Sequence, residues 1–449
     1  MSSINNLLAG NLYEKIEDEH QLLEFQENLL RQTVRRAYEA VPFYREKLEK
    51  INKKPEDIKT IEDLSALYQS GVKTKKEDLF ESTILPEWIR ERRVPYAPLM
   101  TSGTKGMPKL IPYTKDDIRI SNIRCRDAFQ LIIDDNKDKV FMMLAPSPYS
   151  SGPLAISYVF SESAINVPYI VSQAPLPPEF INKIIEKKFN VIISSPTRLI
   201  SILPQLTPSA REIIEKVILS AEPTSQAQYR IIKEYLPNLH TAATLLASTE
   251  TKVAGIGDLK ENVLVMHPMQ IVGIVKDERA IFYREGKTEG IDLVTNLYPQ
   301  DFMPGIFLIN YSHGDLYTQP TFGKTKIGDK TVYGILIRQP VRADEILNVG
   351  GYKIDPLDLD DLPVGDYIVI CEEGDDKQKI TVRILGGDNI NEEMVLRSLT
   401  KSNPPAIYAL QDMLKNGQLE LEIKIVKTQQ ELYEGIRANP TKKTRVVRM

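Results

Sequence analysis

The stretch Met100-Thr-Ser-Gly-Thr-Lys-Gly-Met-Pro-Lys109, running straight into Leu-Ile-Pro-Tyr-Thr114, constrains this chain more than any other. It gathers three hydroxyl side chains (Thr101, Ser102, Thr104), two glycines (Gly103, Gly106) and two lysines (Lys105, Lys109) into one short span. Glycine reaches positive φ without a steric penalty and leaves the backbone amides uncovered. Successive amides in such a turn form an anion-binding concavity, and hydroxyl and ammonium groups add further donors. A phosphate-cradling loop is therefore expected. It is not the G-x-x-x-x-G-K-[ST] pattern, because the lysine follows Gly106 only after Met107 and Pro108. Elsewhere such a run is an ordinary solvated turn, so the other motifs must decide.

A chain of 449 residues exceeds one ordinary core and implies two or three domains. At 42% hydrophobic and 26% charged residues it has the composition of a soluble globular protein. A net charge of -4 gives no basic field, so nucleic acid is not the expected partner. No apolar run approaches the ~20 residues of a membrane span. The start, Met-Ser-Ser-Ile-Asn-Asn, shows no basic segment followed by an apolar one, so no secretory signal is expected. Cys125 and Cys371 lie far apart, which argues against a disulfide framework or a cysteine zinc site and fits a reducing cytoplasm. His20, His240, His267 and His313 are scattered without H-E-x-x-H, so no dedicated metal cluster is expected.

Periodicity divides the chain. Leu22, Phe25, Leu29, Val34, Ala37 and Val41 keep to one helical face, and Pro42 ends that pattern. Further on, Val140 to Ala145, Ala164 to Ile170, Val191 to Ile193 and Lys216 to Leu219 read as buried strands. Between them, Phe180 to Lys188 and Gln226 to Tyr235 read as helices, and this alternation implies an α/β sheet, largely parallel here. Ligands in such folds lie beyond the carboxyl ends of strands. Near the end, Asp366 to Cys371 and Lys379 to Leu385 flank an acidic turn as a hairpin. Helical patterns over 391–399 and 406–414 and an alternating strand over 419–426 complete a compact α+β unit.

Four segments follow the central strands. Ala145-Pro-Ser-Pro-Tyr-Ser-Ser-Gly152 is either a surface turn or the border of an acyl pocket, with Tyr149 and Ser150 as candidate lining and Ala242 to Leu246 beside them. The others are Ser220-Ala-Glu-Pro223, Leu245-Leu-Ala-Ser-Thr-Glu250 and Ile309-Asn-Tyr-Ser-His-Gly-Asp-Leu316. The carboxylate of Glu250 suits a hard cation that bridges phosphates.

These motifs, in this order, resemble the adenylate-forming acyl-CoA synthetase superfamily. Val34-Arg-Arg-Ala-Tyr-Glu-Ala-Val-Pro-Phe-Tyr-Arg45, Pro55-Glu-Asp-Ile58 and Lys73-Thr-Lys-Lys-Glu-Asp-Leu79 narrow the resemblance to its phenylacetate-CoA ligase-like branch. The resemblance implies an α/β fold with a large N-terminal ATP- and acid-binding domain over residues 1–340, opened by a helical arm at about 12–98. A hinge would join it to a small, mobile α+β C-terminal domain over 341–449. It implies nucleotide contacts from Thr101, Ser102, Gly103, Thr104, Lys105 and Gly106, with Lys109 and Glu250 also assisting the chemistry. Ala221, Glu222 and Pro223 would border adenine, Ser248 and Thr249 the phosphate, Asp315 the ribose hydroxyls, and Arg342 the ribose or phosphates. Glu250 would be the metal ligand, Asp344 the hinge, and Lys443 in Asn439-Pro-Thr-Lys-Lys-Thr-Arg-Val-Val447 the catalytic lysine, with Lys442 as the alternative. Leu246, Ala247 and His313 depart from the family, which has tyrosine, glycine and threonine at those places.

The implied activity is that of an ATP-dependent, AMP-forming acid–thiol ligase, using ATP, Mg²⁺ and coenzyme A on a carboxylic acid, with phenylacetate-like acids as one class. A cytoplasmic enzyme is expected, with a homodimer open. Transfer of the adenylate to an amine, or a catalytically degenerate nucleotide binder, stays open as an alternative.

Overall fold

The computed structural model describes residues 10–100, 110–143, 160, 165–172, 176–221, 223–224, 226–283, 288–342, 347–349, 352–354, 356, 359, 362, 364–373, 378–387, 390–401, 406–435 and 446–448. The strands of its larger part, in chain order, are β1 (Tyr96–Met100), β2 (Leu110–Thr114), β3 (Val140–Met143), β4 (Tyr169–Ser172), β5 (Val191–Ser194) and β6 (Lys216–Leu219). They continue as β7 (Thr241–Ser248), β8 (Lys252–Asp258), β9 (Val263–Met266), β10 (Gln270–Lys276), β11 (Arg279–Phe282) and β12 (Glu289–Asn296). Last come β13 (Asp315–Thr318), β14 (Thr321–Ile327), β15 (Lys330–Arg338) and β16 (Val341–Arg342).

A nine-stranded sheet runs β14-β15-β9-β8-β7-β6-β5-β3-β4. From β4 through β3, β5 and β6 to β7 the pairing is parallel, as the alternation of strands and helices implied. From β7 onward it is antiparallel. The inner parallel strands β3, β5 and β6 are apolar apart from Ser194 and Lys216 at their ends, because both faces are covered. Val140, Met142, Val191, Ile193 and Ile218 point into one core. Phe141, Met143, Ile192, Val217 and Leu219 point into another, under the helices Pro178–Ile185 and Gln226–Tyr235. A second sheet, β11-β10-β12-β13-β16, packs with the amino-terminal helices in a third core.

The helix Glu19–Ala40 begins at Asp18, whose side chain accepts from the Gln21 amide. Pro42 closes the pattern as expected, but the next helix, Pro42–Lys50, starts on that same proline. Proline suits the first helical position, where no amide partner is needed. The strand expected over 164–170 is displaced to Tyr169–Ser172. Pro168 supplies only its carbonyl, which accepts from the Val140 amide, and the ladder begins beyond it.

Residues 347–448 contain β17 (Leu347–Val349), β18 (Tyr352–Ile354), β19 (Asp366–Glu373), β20 (Gln378–Leu385), β21 (Leu419–Val426) and β22 (Val446–Arg448). The sheet order β21-β20-β19-β22 joins the expected hairpin to the expected strand, and the helices Glu392–Leu399 and Ala406–Lys415 help to close a separate core.

Asp127, on the helix Lys115–Phe129, holds the described start of the chain: its carboxylate accepts from the Leu12 amide at 3.1 Å and its carbonyl from Asn11 at 2.8 Å. His267 Nε2 lies 3.2 Å from the same carboxylate, while its Nδ1 accepts from the Met269 amide. Burial lowers the His267 pKa from 6.5 to about 4, against the opposing pull of Asp127. A depressed histidine contributes stability above its unfolded pKa and loses it as pH falls through the folded one. That contribution is at most about 3 kcal/mol. Stability from urea unfolding should therefore decline between pH 6.5 and 4. The slope in that window should flatten in His267→Gln; an unchanged slope would show that His267 is not neutral in the folded protein.

Candidate active site

The turn between β7 and β8 carries Ser248, Thr249 and Glu250, and the surrounding fold grips it residue by residue. The Thr249 carbonyl accepts from Tyr113 Oη at 2.6 Å, and the Glu250 carbonyl from Asn296 Nδ2 at 3.4 Å. The Thr251 carbonyl accepts from both Arg124 at 2.9 Å and Gln270 at 2.8 Å. Ser248 Oγ accepts from the Thr251 amide at 2.9 Å, closing the turn on itself.

Lys252 then adopts φ 64°, a left-handed conformation that costs a non-glycine residue roughly 1–2 kcal/mol. Its ammonium lies 2.8 Å from Asp117, with both side chains almost wholly buried. Burial opposes the Lys252 charge, but Asp117 outweighs burial and holds the pKa above the ordinary value. Asp117 also accepts from the Thr114 amide in a capping box, which fixes the start of the helix Lys115–Phe129. It accepts again from Gly305 at 2.6 Å. Gly305 has to be glycine, since a Cβ there would stand 1.9 Å from the Pro112 carbonyl.

Arg124 is fully buried. It donates to the carbonyls of Thr251, Val253 and Met269 and to Asn296 Oδ1. Burial lowers its pKa to about 10, which still leaves it charged at neutral pH. A cation thus sits directly beneath the turn that presents Glu250.

The second carboxylate turn, Ser312 to Asp315, wraps around Asp292 of β12. That buried carboxylate accepts from the amides of His313, Gly314 and Asp315 at 3.0, 2.9 and 3.0 Å, from Ser312 Oγ at 3.1 Å, and from His313 Nδ1 at 2.7 Å. Gly314 takes φ 80° to allow the wrap. Burial would raise the Asp292 pKa, but His313 and the converging donors bring it below the ordinary value. Burial would lower His313; Asp292, Asp315 and Glu250 outweigh it and raise its pKa. The imidazole's other nitrogen, Nε2, reaches Ser248 Oγ at 3.1 Å and Thr251 Oγ1 at 3.3 Å.

The fold therefore joins segments that are distant in the chain. Asp315 faces Arg342 across the β13–β16 ladder. Glu250 is 9% exposed, with Tyr311 Oη 3.5 Å from its carboxylate. Met100 pairs with Leu110 across β1–β2, so the two ends of the glycine-rich stretch are held side by side, and Tyr113 of β2 reaches Thr249. Ala221 takes φ 78°, and Ser220 beside it donates to the Leu245 carbonyl at 3.1 Å. Thr101, Ser102, Gly103, Thr104, Lys105, Gly106, Lys109, Tyr149, Ser150, Glu222, Asp344, Lys442 and Lys443 lie outside the described residues.

Sequence reasoning missed Asp292, Arg124, Asn296, Gln270 and Lys252. Asp292 had a signal: it is a carboxylate inside the apolar run Ile291-Asp-Leu-Val294. Arg124 had none, because it lies in a polar helix whose buried face is settled by packing. Among the described residues no group of three or more acidic, histidine or cysteine side chains forms a metal cage, and no helix is long and apolar enough to cross a membrane.

No protein-family model matches the chain. Phenylacetate-coenzyme A ligase of Thermus thermophilus is 32% identical over 99 residues, a match covering 22% of this chain and 21% of that protein. Among solved structures, 2-hydroxyisobutyryl-CoA ligase with a bound acyl-AMP, in the postadenylation state, superposes with a TM-score of 0.66 at 14% identity, over 96% of this chain and 89% of the other. The same ligase with acyl-AMP and CoA, in the thioesterification state, gives 0.59 at 15% identity over 96% and 90%. ATP-bound MatB from Rhodopseudomonas palustris gives 0.51 at 18% identity over 74% and 64%. The chain has the mixed α/β fold of these ligases.

Removing Arg124 should leave the Met269 and Val253 carbonyls without that donor. The Met269 carbonyl keeps the Leu297 amide at 3.1 Å, so the loss is that of hydrogen bonds to a charged donor, each worth about 1.5–3 kcal/mol. Arg124→Met is expected to lower the urea-unfolding free energy by at least about 2 kcal/mol; an unchanged free energy would mean that relief of burying the charge cancels the lost bonds.

Proposed function

We propose that the chain is an ATP-dependent, AMP-forming ligase that activates a carboxylic acid as its adenylate and passes the acyl group to coenzyme A. The observation carrying this reading is the convergence of the Ser248–Glu250 turn, the Asp315 turn and strand β2, which follows the glycine-rich stretch, bound to one another by Tyr113 and His313. Each segment supplies a different part of a nucleotide site, and their clustering is not a property of the sequence pattern alone. The ligases that share the fold support the same chemistry.

In the proposed first step, an oxygen of the acid attacks the α-phosphorus of ATP, and the bond to the β-phosphate breaks with pyrophosphate leaving. Such a transfer asks the protein mainly for position and charge compensation. Thr101, Ser102, Thr104, Lys105 and Lys109 would hold the outer phosphates, Thr249 the α-phosphate, and Asp315 with Arg342 the ribose side. Glu250 fits a hard cation: it is a carboxylate in a turn whose other donors, Ser248 and Thr249, are oxygens. It would hold Mg²⁺ together with the phosphates, and the ion would supply charge neutralisation there. In the second step the thiol attacks the acyl carbon, forming the thioester as the bond to AMP breaks. Rotation of the small domain, residues 341–449, about Asp344 would withdraw Lys443 between the steps.

ATP–pyrophosphate exchange across a panel of carboxylic acids, followed by thioester formation with coenzyme A, tests the proposal; absence of exchange with every acid would overturn it. Asp315→Ala should raise KM for ATP far more than KM for the acid, and equal effects would reduce Asp315 to a structural turn. Lys443→Ala should slow adenylation yet convert a supplied acyl-adenylate to thioester at close to the parent rate, because the charge Lys443 neutralises develops in the first transition state. Lys442→Ala should do less harm, and an exchange of the two phenotypes would move the role by one residue. Lys109→Ala should also slow exchange, by the loss of a charge-assisted phosphate contact.

A further inference from the structure

His313 belongs to the Asp315 turn, and its side chain ties Asp292 beneath that turn to the turn that bears Glu250. Its Nδ1 donates to Asp292 Oδ2 at 2.7 Å, and Asp292 in turn collects the amides of His313, Gly314 and Asp315. The ring's plane and tilt are therefore set from the Asp315 side. Its Nε2 points to the opposite turn and meets Ser248 Oγ at 3.1 Å and Thr251 Oγ1 at 3.3 Å, the two residues that bracket Thr249 and Glu250. Tyr311 packs edge-on against the imidazole with centroids 5.0 Å apart, and its hydroxyl lies 3.5 Å from Glu250. A rigid ring with a polar atom at each end thus stands between two turns that carry opposite parts of the proposed nucleotide site. A threonine at this position has a single hydroxyl close to its own backbone and could serve only one of the two turns.

We propose that His313 is a positioning residue: a strut that fixes the distance between Glu250 on the phosphate side and Asp315 on the ribose side, so that one nucleotide engages both. The proposal deepens the ligase reading and rests on it. Two carboxamide variants separate the ends of the strut. Asn places its amide where Nδ1 stands and keeps the bond to Asp292, but falls short of Ser248 and Thr251. Gln reaches to the Nε2 position and keeps that contact instead.

In steady-state exchange with an acid that the parent activates, His313→Asn should raise KM for ATP by about tenfold or more while KM for the acid stays within about twofold. His313→Gln should stay within about threefold of the parent on both. Thermal melts should show both variants folded; if His313→Asn does not melt cooperatively, Thr251→Val removes one Nε2 partner from the other side and should raise KM for ATP in the same direction. The strut is overturned if Asn matches the parent, if Asn and Gln are equally impaired, or if KM for the acid rises in step with KM for ATP. Kd for MgATP, measured by titration calorimetry on the same proteins, needs no acid. A parent that binds MgATP but exchanges with no acid would sink the ligase reading alone, leaving the Asn and Gln comparison to be read in Kd. A parent that does not bind MgATP overturns both.

Discussion

A guanidinium buried among backbone carbonyls is the interaction on which the rest of the site depends. Arg124 leaves the middle of a helix, enters the junction of the two large sheets, and donates to Thr251, Val253 and Met269. Taking such a cation out of water is costly, and the lowering of its pKa records that cost. The return is geometric. A planar fork of donors can hold carbonyls from two connections at once, where a single ammonium could not keep them in fixed relation. The turn bearing Glu250 is thus fastened to the β9–β10 connection.

Around that point the same logic recurs with other donors. Lys252 sits in a strained left-handed conformation because Asp117 waits beneath it, and Asp117 is in place because it caps the helix that carries Arg124. Backbone strain of this kind persists only where surrounding contacts over-determine it. Asp292 does for the Asp315 turn what Arg124 does for the Glu250 turn, with the charges reversed: a buried anion gathers amides as the buried cation gathers carbonyls. Each turn is built around one buried charge, Arg124 beneath Glu250 and Asp292 beneath Asp315.

The elements themselves were largely legible. The helix Gln226–Tyr235 and the strand Leu419–Val426 fall where the periodicity put them, because each shows one clear apolar rhythm. The parallel strands were legible for the opposite reason: with both faces covered, Val191 to Ser194 has no room for a polar side chain until its last residue. The strand at Tyr169 is displaced for a physical reason: a β-branched run interrupted by proline does not reveal which side of the proline takes up the ladder.

The sequence by itself determined the α/β alternation and the glycine-rich stretch, and it set out the short motifs that hold Thr249, Glu250 and Asp315, because each is written in contiguous residues or in a short period. Only the tertiary structure decided what holds them. Tyr113, Arg124, Gln270, Asp292 and Asn296 act on backbone atoms of segments far along the chain. A backbone carbonyl or amide is the same at every position, so a side chain that serves one leaves no complementary residue in the sequence to be recognised. His313 stood in the sequence as a mere departure from threonine; its reach to Ser248 and Thr251 exists only once β12 and the β7–β8 turn are packed side by side.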